Sequence, residues 1–448
     1  MPRPATPPRM SAAPVVVLDD DPTGTQLVDR ARVLLTWSTG AIREAAASGA
    51  RSVHLITNSR ALDAKQAYAV TLDAARAARA ALPESTIVMR GDSTLRGHVR
   101  PEYEALRDGA LGGRDAPLLL ALALPSAGRI TLNGVHLLER DGLSVPLHET
   151  EYARDPAFGY ADARLLAWAE SATGGLLPAS RGREVSLEEL RSVGPESVSR
   201  ALAELSDSAP AACVVDAESW ADLVMTAEGL NALQAAGGKA AVRCSPALTA
   251  VLGNNLAPIT KFIPPGSGRG VLVVCGSYVP TTTRQIRALA EVWPHAIVEA
   301  DVLALASTRP GPEQGRLAAE LRARLDGDGV AVLATSRTFE PAVSGQSGRY
   351  LLARELAGVL ARLDPWPAVV IAKGGVTSAI TLQHGLGAHT ADVVGPVALG
   401  VSAWRPLGTR TDPPTYVVVP GNVGGDELLS TLVADAMTSS ENVDDPSL

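Results

Sequence analysis

Short apolar runs alternate with amphipathic stretches along most of the chain. In the first half, runs typical of β-strands lie at Pro14–Leu18, Ser52–Thr57, Thr86–Met89 and Leu118–Leu124, and a helical pattern covers Leu62–Leu82. Strands that alternate with helices predict βαβ units, in which neighbouring strands run parallel. The first half is therefore predicted to form a parallel sheet.

The alternation begins again beyond Ile259–Gly270, a segment rich in proline and glycine that we interpret as a linker. Later strand patterns include Val271–Cys275 and Val369–Lys373. A chain of 448 residues is also long for a single core. We therefore predict an α/β fold with two domains, 14–256 and 270–437, each a mostly parallel sheet flanked by helices.

Composition narrows the class of protein. The aromatic content of 4% suits α/β layers better than an aromatic-rich β-sandwich, and the net charge of −8 argues against nucleic acid or an anionic membrane as a partner. No apolar run reaches the roughly 18–20 residues that span a bilayer. The proline-rich start of the chain lacks the apolar core of an export signal. A cytoplasmic enzyme is expected, with a homodimer as the base-rate assembly.

Loops rich in charge follow the strand patterns of the first half. Three aspartates, Asp19–Asp21, follow the first pattern, and the sequence RGDSTLRGH, Arg90–His98, follows the third. Ligands of parallel sheets bind outside the carboxyl ends of the strands, so these loops should converge on one cleft. The residues predicted to line it are Asp20, Asp21, Arg60, Arg90, Asp92 and Arg96.

This mixture of side chains indicates the ligand. The guanidinium fork of arginine matches a carboxylate or phosphate, whereas aspartate accepts hydrogen bonds from hydroxyl groups. Together they predict a site for a small polyhydroxylated acid, or aspartates that hold a metal ion through water. The plainer alternatives are a solvated acidic turn at Asp19–Asp21 and a surface ion-pair loop at Arg90–His98.

Glycine turns mark the second half. Three strand patterns there each run into a turn before a helix, at Gly276, Gly374 and Gly421. Such turns expose backbone N–H groups and can cradle phosphate, and Lys373, one of only four lysines, is predicted to help hold it. None matches the P-loop or the dinucleotide fingerprint, which disfavours a Walker-type NTPase and a standard Rossmann dehydrogenase.

Several of these motifs resemble those of the four-carbon acid sugar kinase family, over nearly the whole chain from Val15 to Leu432. DDDPTGTQ at Asp19–Gln26 resembles the family's N-terminal acidic motif. TNSR at Thr57–Arg60 and GDSTLRG at Gly91–Gly97 resemble its next two motifs, in the expected order. The resemblance implies an N-terminal domain that binds the sugar acid.

In the second half, GSYVPTTTRQ, KGGVTS and PGNVGG, which begin at Gly276, Lys373 and Pro420, resemble the family's nucleotide-binding segments. The resemblance implies a C-terminal domain that binds ATP and transfers phosphate to a terminal hydroxyl of threonate, erythronate or a 3-oxo-tetronate, a reaction of carbohydrate metabolism. The ATP contacts that it implies fall on Ser277, Gly374, Gly375, Val376, Thr377 and Gly421.

The chain departs from the common family pattern at four positions. Pro22 replaces Leu, Val279 a Ser, Val376 a Glu and Pro420 a Ser. The absence of a carboxylate at Val376 and the presence of Lys373 indicate that the nucleotide phosphates or the metal ion are bound in a different way from the common family pattern. The variant motifs indicate that the sequence resembles a divergent branch of this family.

A mechanism follows for a kinase, in which catalysis depends on positioning and on neutralising charge. One of the three cleft arginines is expected to anchor the substrate carboxylate, and Mg²⁺ to bridge the ATP phosphates. The catalytic candidates are Asp92 and Asp20, with Asp92 preferred as base because flanking arginines keep it ionised. The three cysteines fit no metal-ligand spacing, so no metal site made of side chains is predicted.

Two other classes of function stay open from the sequence. The first is a non-catalytic sensor of sugar acids or nucleotides that kept the fold, which the loss of the carboxylate at Val376 supports. The second is an NAD-dependent sugar-acid dehydrogenase, against which the missing dinucleotide fingerprint argues.

Overall fold

The computed structural model describes residues 14–113, 116–140, 142–206, 210–276, 279–336 and 345–441. The strands are β1 Val15–Asp19, β2 Ala31–Leu34, β3 Ser52–Ile56, β4 Ile87–Arg90, β5 Leu118–Ala121, β6 Arg129–Leu132, β7 Val135–Arg140, β8 Leu143–Pro146, β9 Arg183–Val185, β10 Ala212–Val215, β11 Ala241–Cys244, β12 Val271–Cys275, β13 Ile297–Ala300, β14 Val330–Thr335, β15 Val369–Lys373, β16 Thr390–Ala398, β17 Val401–Leu407 and β18 Thr415–Val419. The helices are α1 Thr39–Ala47, α2 Ala64–Ala81, α3 Val99–Ala110, α4 Leu165–Ala172, α5 Leu187–Val193, α6 Glu196–Ser206, α7 Trp220–Ala235, α8 Pro246–Gly253, α9 Pro280–Val292, α10 Val302–Leu305, α11 Gly311–Gly327, α12 Gly345–Leu360, α13 Gly375–Ile380 and α14 Leu428–Glu441.

The chain folds into two compact units. The first contains the chain up to Gly24 and from Trp37 to Leu256, and the second contains Thr25–Thr36 and the chain from Ala257 onward. The chain therefore enters the second unit once, returns to the first, and crosses again at Ala257. No sequence pattern predicted the first of these crossings.

The first unit is built on a parallel sheet. Its strands follow the order β3-β1-β4-β11-β5-β10-β9, and each neighbouring pair runs parallel. All five residues of β1 are buried, as expected for a strand that helices cover on both faces. A separate antiparallel sheet, β6-β7-β8, was not predicted.

Helix α2 shows how local sequence sets an element. The side chain of Asp63 accepts a hydrogen bond from the backbone of Gln66 at 2.8 Å, and the side chain of Gln66 accepts one from the backbone of Asp63 at 3.3 Å. This reciprocal cap fixes the start of the helix. The buried face of α2 is rich in alanine, which lets α3 pack closely against it.

The second unit has a mixed sheet with the order β13-β14-β12-β15-β18-β17-β16-β2. The first five strands are parallel, and the remaining three pair antiparallel. Thr25–Thr36 supplies β2 and is anchored through Thr25, whose hydroxyl lies 2.9 Å from the hydroxyl of Ser402 and accepts a hydrogen bond from the indole of Trp404. The predicted α/β class with mostly parallel sheets is confirmed. In the part of the chain that the structure describes, no helix is long and apolar enough to cross a bilayer.

Candidate functional site

The predicted cleft residues of the first unit lie together. Strand β1 lies between β3 and β4, so the loops that follow these three strands are neighbours at one edge of the sheet. Ion pairs connect every predicted residue into one group, which we call the charged cluster. Its members are Asp19, Asp20, Asp21, Arg60, Arg90, Asp92 and Arg96.

Arg60 bridges the carboxylates of the charged cluster. Its guanidinium pairs with Asp21 and lies 2.9 Å from Oδ2 of Asp92, and its Nε lies 3.9 Å from Oδ2 of Asp20. One fifth of the side chain is exposed. Arg60 is therefore both held in place and accessible to a ligand.

Arg90 is buried beneath the aspartates. Its guanidinium pairs with Asp19, lies 3.0 Å from Oδ1 of Asp20 and donates to the carbonyl of Asp21. A Cβ added at Gly24 would collide with Asp19 and would lie 2.5 Å from Nε of Arg90. The turn that follows β1 therefore requires glycine at this position.

Asp92 is saturated with donors. Its Oδ1 accepts hydrogen bonds from the backbone and hydroxyl of Thr94 at 2.9 and 2.8 Å, and its Oδ2 accepts one from Nε of Arg96 at 2.7 Å. Burial raises the pKa of Asp92, but Arg60, Arg96 and Thr94 outweigh burial and hold the pKa well below the usual range. Asp92 thus stays ionised with its oxygens occupied.

Asp20 has the opposite environment. It is 2% exposed, and neither carboxylate oxygen accepts a hydrogen bond from any residue that the structure describes. Burial raises its pKa to about 7, with Arg60 and Arg90 lowering it in part and Glu102 and Asp21 raising it. The pKa of Asp21 is also raised by burial, but Arg60, Arg90 and Thr23 bring it below the ordinary value. Two adjacent aspartates therefore differ in protonation near neutral pH.

Arg96 lies beside the segment that follows β8. Its guanidinium lies 3.3 Å from Oδ2 of Asp155 and 5.5 Å from the ring of Tyr152. The hydroxyl of Tyr160 donates to the carbonyl of Thr94 at 2.9 Å, which fixes the same loop. Arg96 is 22% exposed, so it remains accessible despite these contacts.

Sequence reasoning missed a buried support beneath the charged cluster. Arg243 on β11 pairs with Glu102 on α3, and Glu102 accepts a hydrogen bond from the hydroxyl of Ser59 at 2.6 Å. A Cβ at Gly91 or Gly97 would lie 2.6 or 2.8 Å from the guanidinium of Arg243. The signal available in the sequence was an arginine within the apolar strand pattern of β11.

The glycine turns of the second unit lie side by side. Strands β12, β15 and β18 are parallel neighbours, so Gly276, Gly374 and Gly421 follow adjacent strands at the same edge of the sheet. Gly374 has a φ of 105°, which disfavours any other residue there, and helix α13 begins at the next residue. Ser277, predicted to contact ATP, lies outside the described residues. We call these three segments the glycine turns.

Side chains of the turn at Gly374 are buried or half-buried. Thr377 is 5% exposed, and Val376 packs against the apolar residues Ala353, Ala357 and Ile380. The valine side chain therefore packs against α12. A carboxylate at this position would face these apolar side chains and find no hydrogen-bond donor among them.

Lys373 is fully buried. Its ammonium donates to the carbonyls of Pro420 and Val423 at 2.8 and 3.2 Å. Burial lowers its pKa to about 8. The charged end of Lys373 therefore lies against the carbonyls of the turn after β18, and its contact with phosphate stays a prediction.

The described residues contain no group of three or more histidines, cysteines or carboxylates that could hold a metal ion.

Two family models match the chain. A sugar-binding N-terminal domain matches residues 15–252, and a nucleotide-binding C-terminal domain matches residues 272–429. The protein thus belongs to the class in which a sugar-binding and a nucleotide-binding domain share one chain. It is a member of the four-carbon acid sugar kinase family.

Two curated relatives have names that describe their activities. The D-threonate kinase of Salmonella typhimurium is 30% identical over 341 residues, which cover 73% of this chain and 72% of that protein. The D-erythronate kinase of Heliobacterium modesticaldum is 30% identical over 278 residues, 61% of this chain, and the match spans 58% of the length of that kinase. A Haemophilus influenzae protein of the family model DUF1537 shares the fold, with a TM-score of 0.65 at 20% identity over 94% of this chain and 99% of its own.

Proposed function

We propose that this protein is an ATP-dependent kinase that phosphorylates a hydroxyl of a four-carbon sugar acid such as threonate or erythronate. The names of the two relatives support this reaction. The observation that carries the proposal is the charged cluster, in which the accessible arginines Arg60 and Arg96 lie with the buried carboxylate of Asp20, whose pKa is raised to about 7. The sensor and dehydrogenase alternatives are not favoured, because the relatives are named as kinases.

Arg60 and Arg96 are the groups that bind the substrate carboxylate. Each is about one fifth exposed, and a guanidinium offers five N–H donors, so both retain donors for a ligand. Arg90 is 3% exposed and is committed to Asp19, Asp20 and the backbone of Asp21. Its role is to hold the aspartates in place.

Asp20 acts as the general base in this proposal, in place of Asp92. A base works best when its pKa lies near the operating pH, and burial brings Asp20 to about 7. Asp20 takes the proton of the substrate hydroxyl as that oxygen bonds to the terminal phosphorus of ATP and the bond to the ADP oxygen breaks. Asp92, with its oxygens occupied and its pKa very low, orients Arg60 and Arg96.

ATP is proposed to bind at the glycine turns, through backbone N–H groups at Gly375, Val376, Thr377 and Gly421. The N–H of Gly374 donates to the carbonyl of Val419 at 2.7 Å, so Gly374 contributes through the shape of the turn. Mg²⁺ would enter with the ATP phosphates and lower the barrier by neutralising their charge. We also propose a cytoplasmic location and a homodimer.

The test is ADP release from ATP-Mg²⁺ by the purified full-length protein, with D- and L-threonate, D- and L-erythronate and the 3-oxo-tetronates. The neutral polyols threitol and erythritol serve as matched controls that lack the carboxylate. We expect one acid to stimulate ADP release and its polyol to fail. ATP binding with no stimulation by any acid would contradict the kinase proposal and favour the sensor.

A further inference from the structure

The turn Pro420–Gly425, which follows β18, is held from below by its carbonyl groups. Lys373 donates to the carbonyls of Pro420 and Val423. Gln285 on α9, fully buried, donates to the carbonyls of Val423, Gly424 and Gly425 at 3.1, 3.3 and 2.9 Å. Two buried side chains from different elements therefore pull these carbonyls to one side of the turn.

The peptide geometry then sets the direction of the N–H groups. In a planar trans peptide the C=O of one residue and the N–H of the next point in opposite directions. The N–H groups of Gly421 and Gly424 therefore point away from Lys373. Neither donates to another residue in the part of the chain that the structure describes, and Gly424 and Gly425 are exposed. This arrangement is typical of a backbone site for an anion.

We infer that Lys373 is a positioning residue for the turn Pro420–Gly425. It acts through the Pro420 and Val423 carbonyls and makes no contact with phosphate. The inference deepens the proposed function, since it rests on ATP binding at the glycine turns. A buried ammonium on the carbonyl side also polarises the peptide groups, which strengthens the N–H donors on the other side.

The experiment compares full-length wild type with Lys373→Met, which removes both hydrogen bonds and keeps the apolar stem. Amide hydrogen exchange of peptides covering residues 420–428 is measured first without nucleotide. We expect exchange at Val423 and Leu428 to rise at least tenfold, because their amides donate to the carbonyls of Pro420 and Gly425 and these bonds open when the turn loses its support. The KM for ATP should rise at least tenfold, while the affinity for the sugar acid, measured by calorimetry, stays unchanged. Lys65→Met, at an exposed lysine on α2, is the matched control and should change neither quantity.

Gln285→Met provides a second variant if Lys373→Met fails to fold. It loosens the same turn but leaves Lys373 intact, so under our inference it also raises the exchange and the KM for ATP. The two variants should combine less than additively, since they act on one structural element. A raised KM for ATP in Lys373→Met, with unchanged exchange in the nucleotide-free protein, would overturn the inference and favour direct phosphate contact. Unchanged exchange and unchanged KM would overturn it as well.

The failure of the proposed function would look different. If ATP-Mg²⁺ neither protects the glycine turns from exchange nor binds in calorimetry, the kinase proposal fails. The comparison in the nucleotide-free protein still decides whether Lys373 supports the turn.

Discussion

The two candidate sites of this protein use different parts of the chain. In the charged cluster, the functional groups are side chains, and each is fixed by ion pairs with others of the same cluster. In the glycine turns, the exposed groups belong to the backbone, and buried side chains such as Lys373 and Gln285 support them from below.

This difference determines how far the effect of a substitution on stability extends from the substituted residue. Removing one charge from the cluster leaves its partners buried and unpaired, which costs free energy at a distance from the change. A backbone site is less sensitive to the side chain at each position, provided that the turn keeps its shape. The valine at position 376 fits this view because its side chain packs against Ala353, Ala357 and Ile380.

The largest expected effect is on catalysis. Asp20→Asn keeps the shape of the base but cannot accept the proton, so we expect kcat to fall by about 10²–10⁴-fold with little change in the KM for ATP. Asp92→Asn is the comparison, and we expect it mainly to raise the KM for the sugar acid. Steady-state kinetics measures both. A near-native kcat for Asp20→Asn, with a large loss for Asp92→Asn, would return the role of base to Asp92.

The buried ion pair between Arg243 and Glu102 beneath the charged cluster is expected to have the largest effect on the free energy of unfolding. Arg243→Met leaves the carboxylate of Glu102 without its charged partner, and we expect the free energy of unfolding to fall by about 3–5 kcal/mol. The double variant with Glu102→Gln should recover part of that loss, because no charge is then left unpaired. Urea unfolding followed by circular dichroism measures the change. A loss below about 1 kcal/mol in the single variant would show that the pair is not a support.

Glycine replacements compare the two regions directly. Gly24→Ala places a methyl group against Asp19 and Arg90, and we expect about 1–3 kcal/mol of destabilisation from overpacking. Gly276→Ala should cost less, because its nearest neighbours are a hydroxyl at 2.9 Å and a methyl group at 3.2 Å on side chains. Gly315→Ala, with open space inside α11, is the control and should stabilise by about 0.4–1 kcal/mol. Equal losses at Gly24 and Gly276 would contradict the comparison.

The smallest expected effect is a pH dependence of stability. Asp20 has a folded pKa of about 7, above its ordinary value of 3.8. Its contribution to stability is therefore complete below pH 3.8 and is lost as the pH rises through 7. Asp20→Asn lacks this loss, so its Tm relative to wild type should improve by a few degrees between pH 5 and pH 8. Asp92, whose pKa is lowered, provides the opposite sign in a lower pH range: its contribution is present above pH 3.8 and is lost as the pH falls below that value. Asp92→Asn should therefore lose more Tm relative to wild type at pH 6 than at pH 3.

The sequence was sufficient to predict which charged residues lie together at the ends of strands. Asp20, Arg60 and Arg90 follow apolar strand patterns, and parallel topology requires such positions to meet at one edge. The same logic placed Gly276, Gly374 and Gly421 at one edge of a sheet, and the structure shows that the strands they follow are neighbours. Periodicity and topology were sufficient for these features.

The features that sequence reasoning missed depend on side-chain direction or on distant pairing. Arg243 occupies an apolar strand, and its partner Glu102 lies in an amphipathic helix where a charge is ordinarily solvated. The direction of Lys373 follows from the inward carbonyls of the turn after β18, which no local pattern encodes. Strand β2 is four residues long, and its partner β16 lies more than 350 residues away.

The position of β2 also has an evolutionary consequence. The sequence matched by the sugar-binding family model, residues 15–252, includes a strand that belongs to the sheet of the second unit. If two relatives recombined at the linker, the second unit of the product would come from one parent and its strand β2 from the other. The two would then have to pair in one sheet. A nucleotide-binding half inherited alone would leave β16 without this partner. The two halves are thus expected to be inherited together, although the chain folds into two compact units.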